Sequence, residues 1–199
     1  NKDEAAHYFK LASDLYDAKS MHFYAVMLYD GDGIEINKKE AAHYFKLAAD
    51  KGNSDSMYNY ARMLFNGDGV EMNKEEAIHY IKQAIDLDDA KSMHFYAVML
   101  YDGDGVEMNK EKAAHYFKLA ADKGNSDSMF NYARMLENGN GIEMNKKEAA
   151  RYFKMAADLG NVDSMRNYAV MLDSGNGIKM NKEEAARYWK LAEDQDNEN

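Results

Sequence analysis

His7, His43, His79 and His115 stand 36 residues apart, an interval that could stack imidazoles into a metal-binding column. Two facts remove that chemistry. The same position is Arg151 and Arg187 in the last two copies, and a guanidinium does not ligate zinc. Neighbouring helices also pack about 10 Å apart, too far for adjacent imidazoles to share one ion. The other two histidines, His22 and His94, are 72 residues apart. Asp30, Gly31, Asp32 and Gly33 look like the start of a calcium loop, but Ile34 occupies the place of the next oxygen ligand. Later copies carry Asn138 and Asn140, then Ser174 and Asn176, which weakens the charge further. There is no nucleophile elbow, phosphate loop, zinc-protease helix or Cys–His pair. Ten of the 15 methionines fall at two fixed positions (Met21 and Met27 with their repeats), where an adaptable side chain fills a core. No catalytic residue, metal ligand or cofactor is therefore expected.

The remaining chemistry is recognition. Four positions change from copy to copy while their neighbours stay fixed. His22 becomes Tyr58, His94, Phe130 and Arg166, and Phe23 becomes Asn59, Phe95, Asn131 and Asn167. Val26 becomes Arg62, Val98, Arg134 and Val170, and Tyr29 becomes Phe65, Tyr101, Glu137 and Asp173. The spacing i, i+4, i+7 puts His22, Val26 and Tyr29 on one helix face, opposite the fixed stripe. Aromatic and Arg side chains dominate binding hot spots. These residues, through Arg166 and Asn167, are the candidate partner-binding set. Asn59 with Arg62 and Asn131 with Arg134 have the donors to hold a carboxylate, although each Arg can equally pair with a nearby Asp or Glu. The segment from Asp17 to Asp86 closely matches that from Asp89 to Asp158, so the surface is expected to repeat every second copy.

The elements that position these residues follow from the period. Asn1, Asn37, Asn73, Asn109, Asn145 and Asn181 recur every 36 residues without insertion or deletion, the mark of a stacked repeat. In one copy, Met21, Tyr24, Ala25, Met27 and Leu28 form an apolar stripe at helical spacing. Asp17 caps this helix A at its start, and Gly31 and Gly33 end it. Asn37 caps helix B, with Glu40 three residues on as in a capping box. Glu4, Glu76, Glu148 and Glu184 repeat that Glu, and Lys112 breaks the pattern once. Ala41, Tyr44, Phe45 and Ala48 form the buried side of helix B, and Gly52 closes it. Short links make neighbouring helices antiparallel.

The expected fold is all-α: a right-handed solenoid of antiparallel helix pairs, eleven helices in one array over residues 1–199. An unpaired helix B (1–16) precedes A–B repeats at 17–52, 53–88, 89–124, 125–160 and 161–196, with a tail at 197–199 and an acidic end frayed from Glu193. Opening on Asn1 and not on Met, the chain is expected to begin inside a longer product. Its first helix, lacking a helix A before it, is expected to leave an apolar side partly uncovered. Trp189, in the place of Phe45, is expected to compensate for the fewer neighbours of the last helix.

Charge and composition exclude several classes. With 25 Lys and Arg against 35 Asp and Glu, the net charge of −10 disfavours phosphate backbones and anionic membranes. No run of about 18 apolar residues exists to span a membrane. No cysteine is present, which leaves the compartment open.

Ser56, Tyr60, Ala61, Leu64, Gly67, Gly69 and Val70, followed by Ala77, Tyr80 and Ala84, resemble the SEL-one-like repeat (SLR) family, a relative of the tetratricopeptide repeat. Tyr60 and Ala61 replace the usual Leu-Gly and Leu64 the usual aromatic, and these swaps recur in every copy. The resemblance covers essentially the whole chain. It implies a superhelix whose A helices line the concave wall, and a scaffold or adaptor for other proteins. It also implies that an Asn–basic pair can hold a peptide carboxylate. The expected partners are proteins or peptides, not nucleic acid, with self-association through the N-terminal helix as a further possibility. A structural spacer without a groove and a hydrolase-type enzyme are the alternatives.

Overall fold

Asn and Asp recur at the helix starts because their short side chains accept a backbone N–H that the helix leaves unpaired. The computed structural model describes residues 2–14 and 17–198, and the capping role expected of Asn1 lies outside them. Eleven helices run through the described residues: α1 (Lys2–Asp14), α2 (Ala18–Asp30), α3 (Lys38–Asp50), α4 (Ser54–Asn66), α5 (Lys74–Asp86), α6 (Ala90–Asp102), α7 (Lys110–Asp122), α8 (Ser126–Asn138), α9 (Lys146–Asp158), α10 (Val162–Ser174) and α11 (Lys182–Glu198). No strand occurs among them. The chain divides into two compact units, Asn1–Ser92 and Met93–Asn199.

In the first unit each helix packs on the next in sequence, from α1 against α2 to α4 against α5. Asp17 accepts Ser20 N–H at 2.7 Å, and Asn53 accepts Ser56 N–H at 2.8 Å. Asn37 accepts Glu40 N–H at 3.1 Å to start α3. The expected capping box takes another form. Glu40 Oε2 accepts from the Asn37 side-chain amide at 2.9 Å, not from its backbone N–H. That backbone N–H is already committed to Leu28 O at 2.8 Å, at the end of α2. Asn73 and Leu64 repeat the bond at 2.9 Å. A backbone bond therefore ties the start of each helix B to the last turn of its helix A.

Two glycines in each A–B link act differently. Gly31 and Gly67 end helix A in the left-handed conformation (φ 75° and 69°), where a Cβ is penalised. Gly69 lies against the first turn of the preceding helix B, and a Cβ there would fall 2.6 Å from Lys38 O. The core between the helices is built on Ala25, Ala41, Ala48, Ala61, Ala77 and Ala84, all fully buried, which lets the backbones approach closely. Tyr24 meets Tyr44 edge-to-face at 4.9 Å, and Tyr60 meets Tyr80 at 5.1 Å. On α1, Tyr8 is 67% exposed where its counterpart Tyr80 is 6% exposed, and Leu11 is 48% exposed.

The second unit repeats this construction. Asn109, Asn145 and Asn181 cap α7, α9 and α11 and donate their backbone N–H to Leu100, Leu136 and Leu172. Phe153, Ala149 and Ala156 form the fully buried centre of one cluster with Tyr168 and Tyr188, and Ala97, Ala113 and Phe117 belong to another. The acidic end differs from expectation: α11 continues to Glu198. Arg166 of α10 forms an ion pair with Asp196, which holds that last turn. Trp189 stays 40% exposed, so its size does not bury it.

Candidate partner-binding clefts

The changing positions divide into three groups. The first is absorbed by packing. His22 packs near Phe45, ring centres 5.7 Å apart, and its Nδ1 lies 2.8 Å from the hydroxyl of fully buried Ser56. His94 does the same with Phe117 at 5.6 Å and Ser128 at 2.7 Å. Phe23 packs against Phe9 of α1. Arg166 binds Asp163 and Asp196, and the Asn167 amide donates to Asp163 O at 2.7 Å.

A second group acts as support. Arg62 lies over Tyr58 at 5.6 Å and Arg134 over Phe130 at 5.8 Å, so these rings hold the guanidinium groups from beneath. Phe65 carries Lys74 above its face at 4.7 Å. Phe95 is half-buried with interactions of its own, and Glu137 is half-buried beside the end of α8.

The third group comes together. In the first unit, Val26, Tyr29, Asn59 and Arg62 line a cleft of about 210 Å³, with Asp30, Phe45, Met63, Asn66 and Asp68 completing it. In the second unit, Val98, Tyr101, Asn131 and Arg134 line a cleft of about 210 Å³, with Asp102, Phe117, Met135, Asn138 and Asn140. Every lining position of one is the other's plus 72. The side chains of Asn59 and Asn131 make no hydrogen bond, and Arg62 and Arg134 make no ion pair, among the described residues. These are polar groups with unspent donors above an apolar floor.

Sequence reading weighed this loop position only as a failed calcium ligand, at Asp32 and Asn140, and did not place Asp68 or Asn140 in a binding site, yet they set the local charge. Asp68 accepts from Tyr29 Oη at 2.7 Å and from Lys38 Nζ at 3.0 Å. The Tyr29 hydrogen bond, then that of Lys38, holds the Asp68 carboxyl below its ordinary pKa, and Arg62 acts in the same direction. Bonding to the Asp68 carboxylate raises the Tyr29 phenol, aided by burial. At the equivalent place Asn140 donates its amide to Tyr101 Oη at 2.6 Å. Lys110 lies over the Tyr101 ring at 5.2 Å, as Lys38 does over Tyr29 at 5.1 Å, but without a carboxylate to pair with among the described residues. Comparing positions 68 and 140 across the 72-residue offset is the signal that could have exposed this difference.

Other surfaces offer less. A broader hollow of about 520 Å³ lies beside His43, Lys46 and Tyr60, open and shallow. His7, His43, His79 and His115 are exposed, each edge-on to the following Tyr, and Arg151 and Arg187 lie over Tyr152 and Tyr188 instead. Among the described residues no group of three or more His, Asp or Glu is placed to hold a metal, and no helix is long and apolar enough to cross a membrane.

Solved structures share the fold. A protective antigen of uropathogenic Escherichia coli strains displaying an SLR fold superposes with a TM-score of 0.90 at 22% identity, over 98% of this chain and 42% of that one. This chain thus spans less than half of that protein's length. A Sel1 repeat protein from Oxalobacter formigenes gives 0.81 at 21% identity, over 91% of this chain and 72% of that one. An immunity protein from Pseudomonas aeruginosa gives 0.64 at 17% identity, over 94% and 72%. At these identities the likeness concerns fold alone. No protein of curated function matches the chain by sequence. The Sel1 repeat profile matches residues 1–17, 18–53, 54–89, 90–125, 126–161 and 162–197, and with that near-complete coverage the chain belongs to the Sel1 repeat family.

Proposed function

We propose that the chain is a protein-interaction scaffold that docks a peptide segment of a partner on its helix-A face, with one cleft in each compact unit as a docking site. Sel1 repeat proteins are generally protein-interaction scaffolds, which supplies the class. The observation that carries the finer reading is the pair of free Asn–Arg sets, Asn59 with Arg62 and Asn131 with Arg134. Free donors above Phe117 suit a peptide with an acidic group beside an apolar one, and those above Phe45, beside Asp68, a neutral polar group beside an apolar one. On this reading residues 1–199 act as one array, and neither a cofactor nor a catalytic group takes part.

Selection from a displayed random-peptide library tests it. The wild-type chain is expected to enrich sequences that combine acidic and apolar residues. The fourfold variant Asn59→Ala, Arg62→Ala, Asn131→Ala, Arg134→Ala, with helix content verified by circular dichroism, is expected to lose that enrichment. Identical enrichment by both chains, or none by the wild type, removes the reading.

Self-association is a second reading, favoured by the exposure of Tyr8 and Leu11 on α1. Sedimentation of the wild type and of Tyr8→Ser tests it. A concentration-dependent dimer lost in the variant supports it, and a monomer at all concentrations removes it.

A further inference from the structure

The two clefts are alike in shape and unlike in charge. In the first, the Asp68 carboxylate occupies the space between Tyr29, Lys38 and the Arg62 side chain. In the second, the neutral Asn140 amide stands there, and Lys110 and Arg134 have no carboxylate partner among the described residues. The position of Lys110 is held by its own backbone, against which Gly141 is pressed as Gly69 is against Lys38.

We propose that position 68/140 sets ligand preference, so that the second cleft takes the carboxylate of an acidic peptide and the first, which already carries the negative charge of Asp68, rejects it. Asp68 shows how this site accommodates an anion: a phenol hydroxyl and an ammonium group on one side, a guanidinium within electrostatic reach on the other. An incoming carboxylate at the second cleft meets Arg134 and the Asn131 amide as donors, with Lys110 over the ring of the lining Tyr101, and its apolar stem meets Val98 and Phe117. At the first cleft the same ligand meets an ion pair already formed and the added charge of Asp68, a like-charge juxtaposition that discriminates against it. One chain thus binds one acidic group, although its sequence repeats the cleft twice.

This inference rests on the clefts being ligand-facing, as proposed above, and its test does not use the peptide partner. The probe is N-acetyl-leucinate, titrated into the ¹⁵N-labelled full chain, with its methyl ester and inorganic phosphate as separate arms. The side-chain resonances of Arg134 and Asn131 are expected to shift saturably, and those of Arg62 and Asn59 to need at least about tenfold more ligand. The ester is expected to cause no shift. Asp68→Asn is expected to bring the first cleft within about twofold of the second, and Asn140→Asp to abolish the response of the second. Each substitution installs the arrangement its counterpart already has, so both variants keep a fold the chain itself demonstrates. Equal response of both clefts in the wild type, no response at Arg134, or a ranking unchanged by the two substitutions overturns the proposal. A response to phosphate without one to N-acetyl-leucinate overturns the carboxylate assignment. Loss of peptide selection with this ranking intact would remove the scaffold reading alone, and the reverse result would remove only the preference.

Discussion

His22 Nδ1 lies 2.8 Å from Ser56 Oγ across 34 residues of sequence, and in this contact a ring from one helix A satisfies a fully buried hydroxyl of the next. His94 and Ser128 repeat it. Ser92 and Ser164 are buried as completely but have no partner, because Tyr58 and Phe130 stand where the histidines would be. An unpaired buried hydroxyl costs about 1–3 kcal/mol. Ser164→Ala is therefore expected to stabilise the chain by about 1 kcal/mol, and Ser128→Ala to destabilise it by a similar amount by orphaning His94. Urea unfolding measures both, and equal losses in the two variants would contradict this account.

Burial lowers the pKa of His22 and of His94, while Asp55 and Asp127 oppose the shift in part. The folded chain thus prefers neutral imidazoles, and the unfolded chain takes up protons first. The associated stability is complete above the unfolded value of about 6.5 and declines as pH falls through it towards the lower folded values. Urea midpoints should decline between about pH 7.5 and 5.5, and His94→Gln should flatten part of that slope. A variant with the same pH profile as wild type would place the proton uptake elsewhere.

Gly69 combines a positive φ of 77° with a Cβ position 2.6 Å from the Lys38 carbonyl oxygen. Neither can relax without moving backbone, so Gly69→Ala is expected to cost more than about 2 kcal/mol. Gly52 has φ 88° but open space around it. Gly52→Ala should cost only the left-handed penalty, about 1 kcal/mol. Thermal unfolding of the two variants should separate them clearly.

Tyr80 Oη donates to Asp50 at 2.7 Å and accepts from Lys46 at 3.0 Å, joining α5 to α3. Lys46 also pairs with Asp50, and the hydrogen bonds to Asp50 and then to Tyr80 raise the pKa of its ammonium group. Removing the hydroxyl in Tyr80→Phe keeps the ring against Tyr60 and is expected to cost about 1 kcal/mol. A chemical denaturation curve measures the loss, and an unchanged midpoint would show the triad to be incidental.

Much of the helix scaffold could be read from sequence because it rests on local rules. Asn37, Asn53 and Gly31 act at short range, and the 36-residue spacing repeats them. The form of the Glu40 cap could not be read, because the competing acceptor, Leu28 O, comes from a different helix. Likewise, periodicity located Asn59 and Arg62 on one face with Val26 and Tyr29. It could not show that His22 turns inward, since the hydroxyl that draws it belongs to the next copy. Asp68 and Asn140 could not be assigned to the clefts because they stand in a link, where helical spacing carries no information, and Asn140 read only as a weakened calcium loop.

The bond from the Asn37 backbone N–H to Leu28 O involves no side chain. The angle at which each helix B departs is consequently indifferent to which residues face the cleft. Residues such as Val26, Asn59 or Asp68 can be exchanged while the frame around them stays put. A protein built this way can acquire a new specificity by rewriting a few surface letters, without renegotiating its architecture.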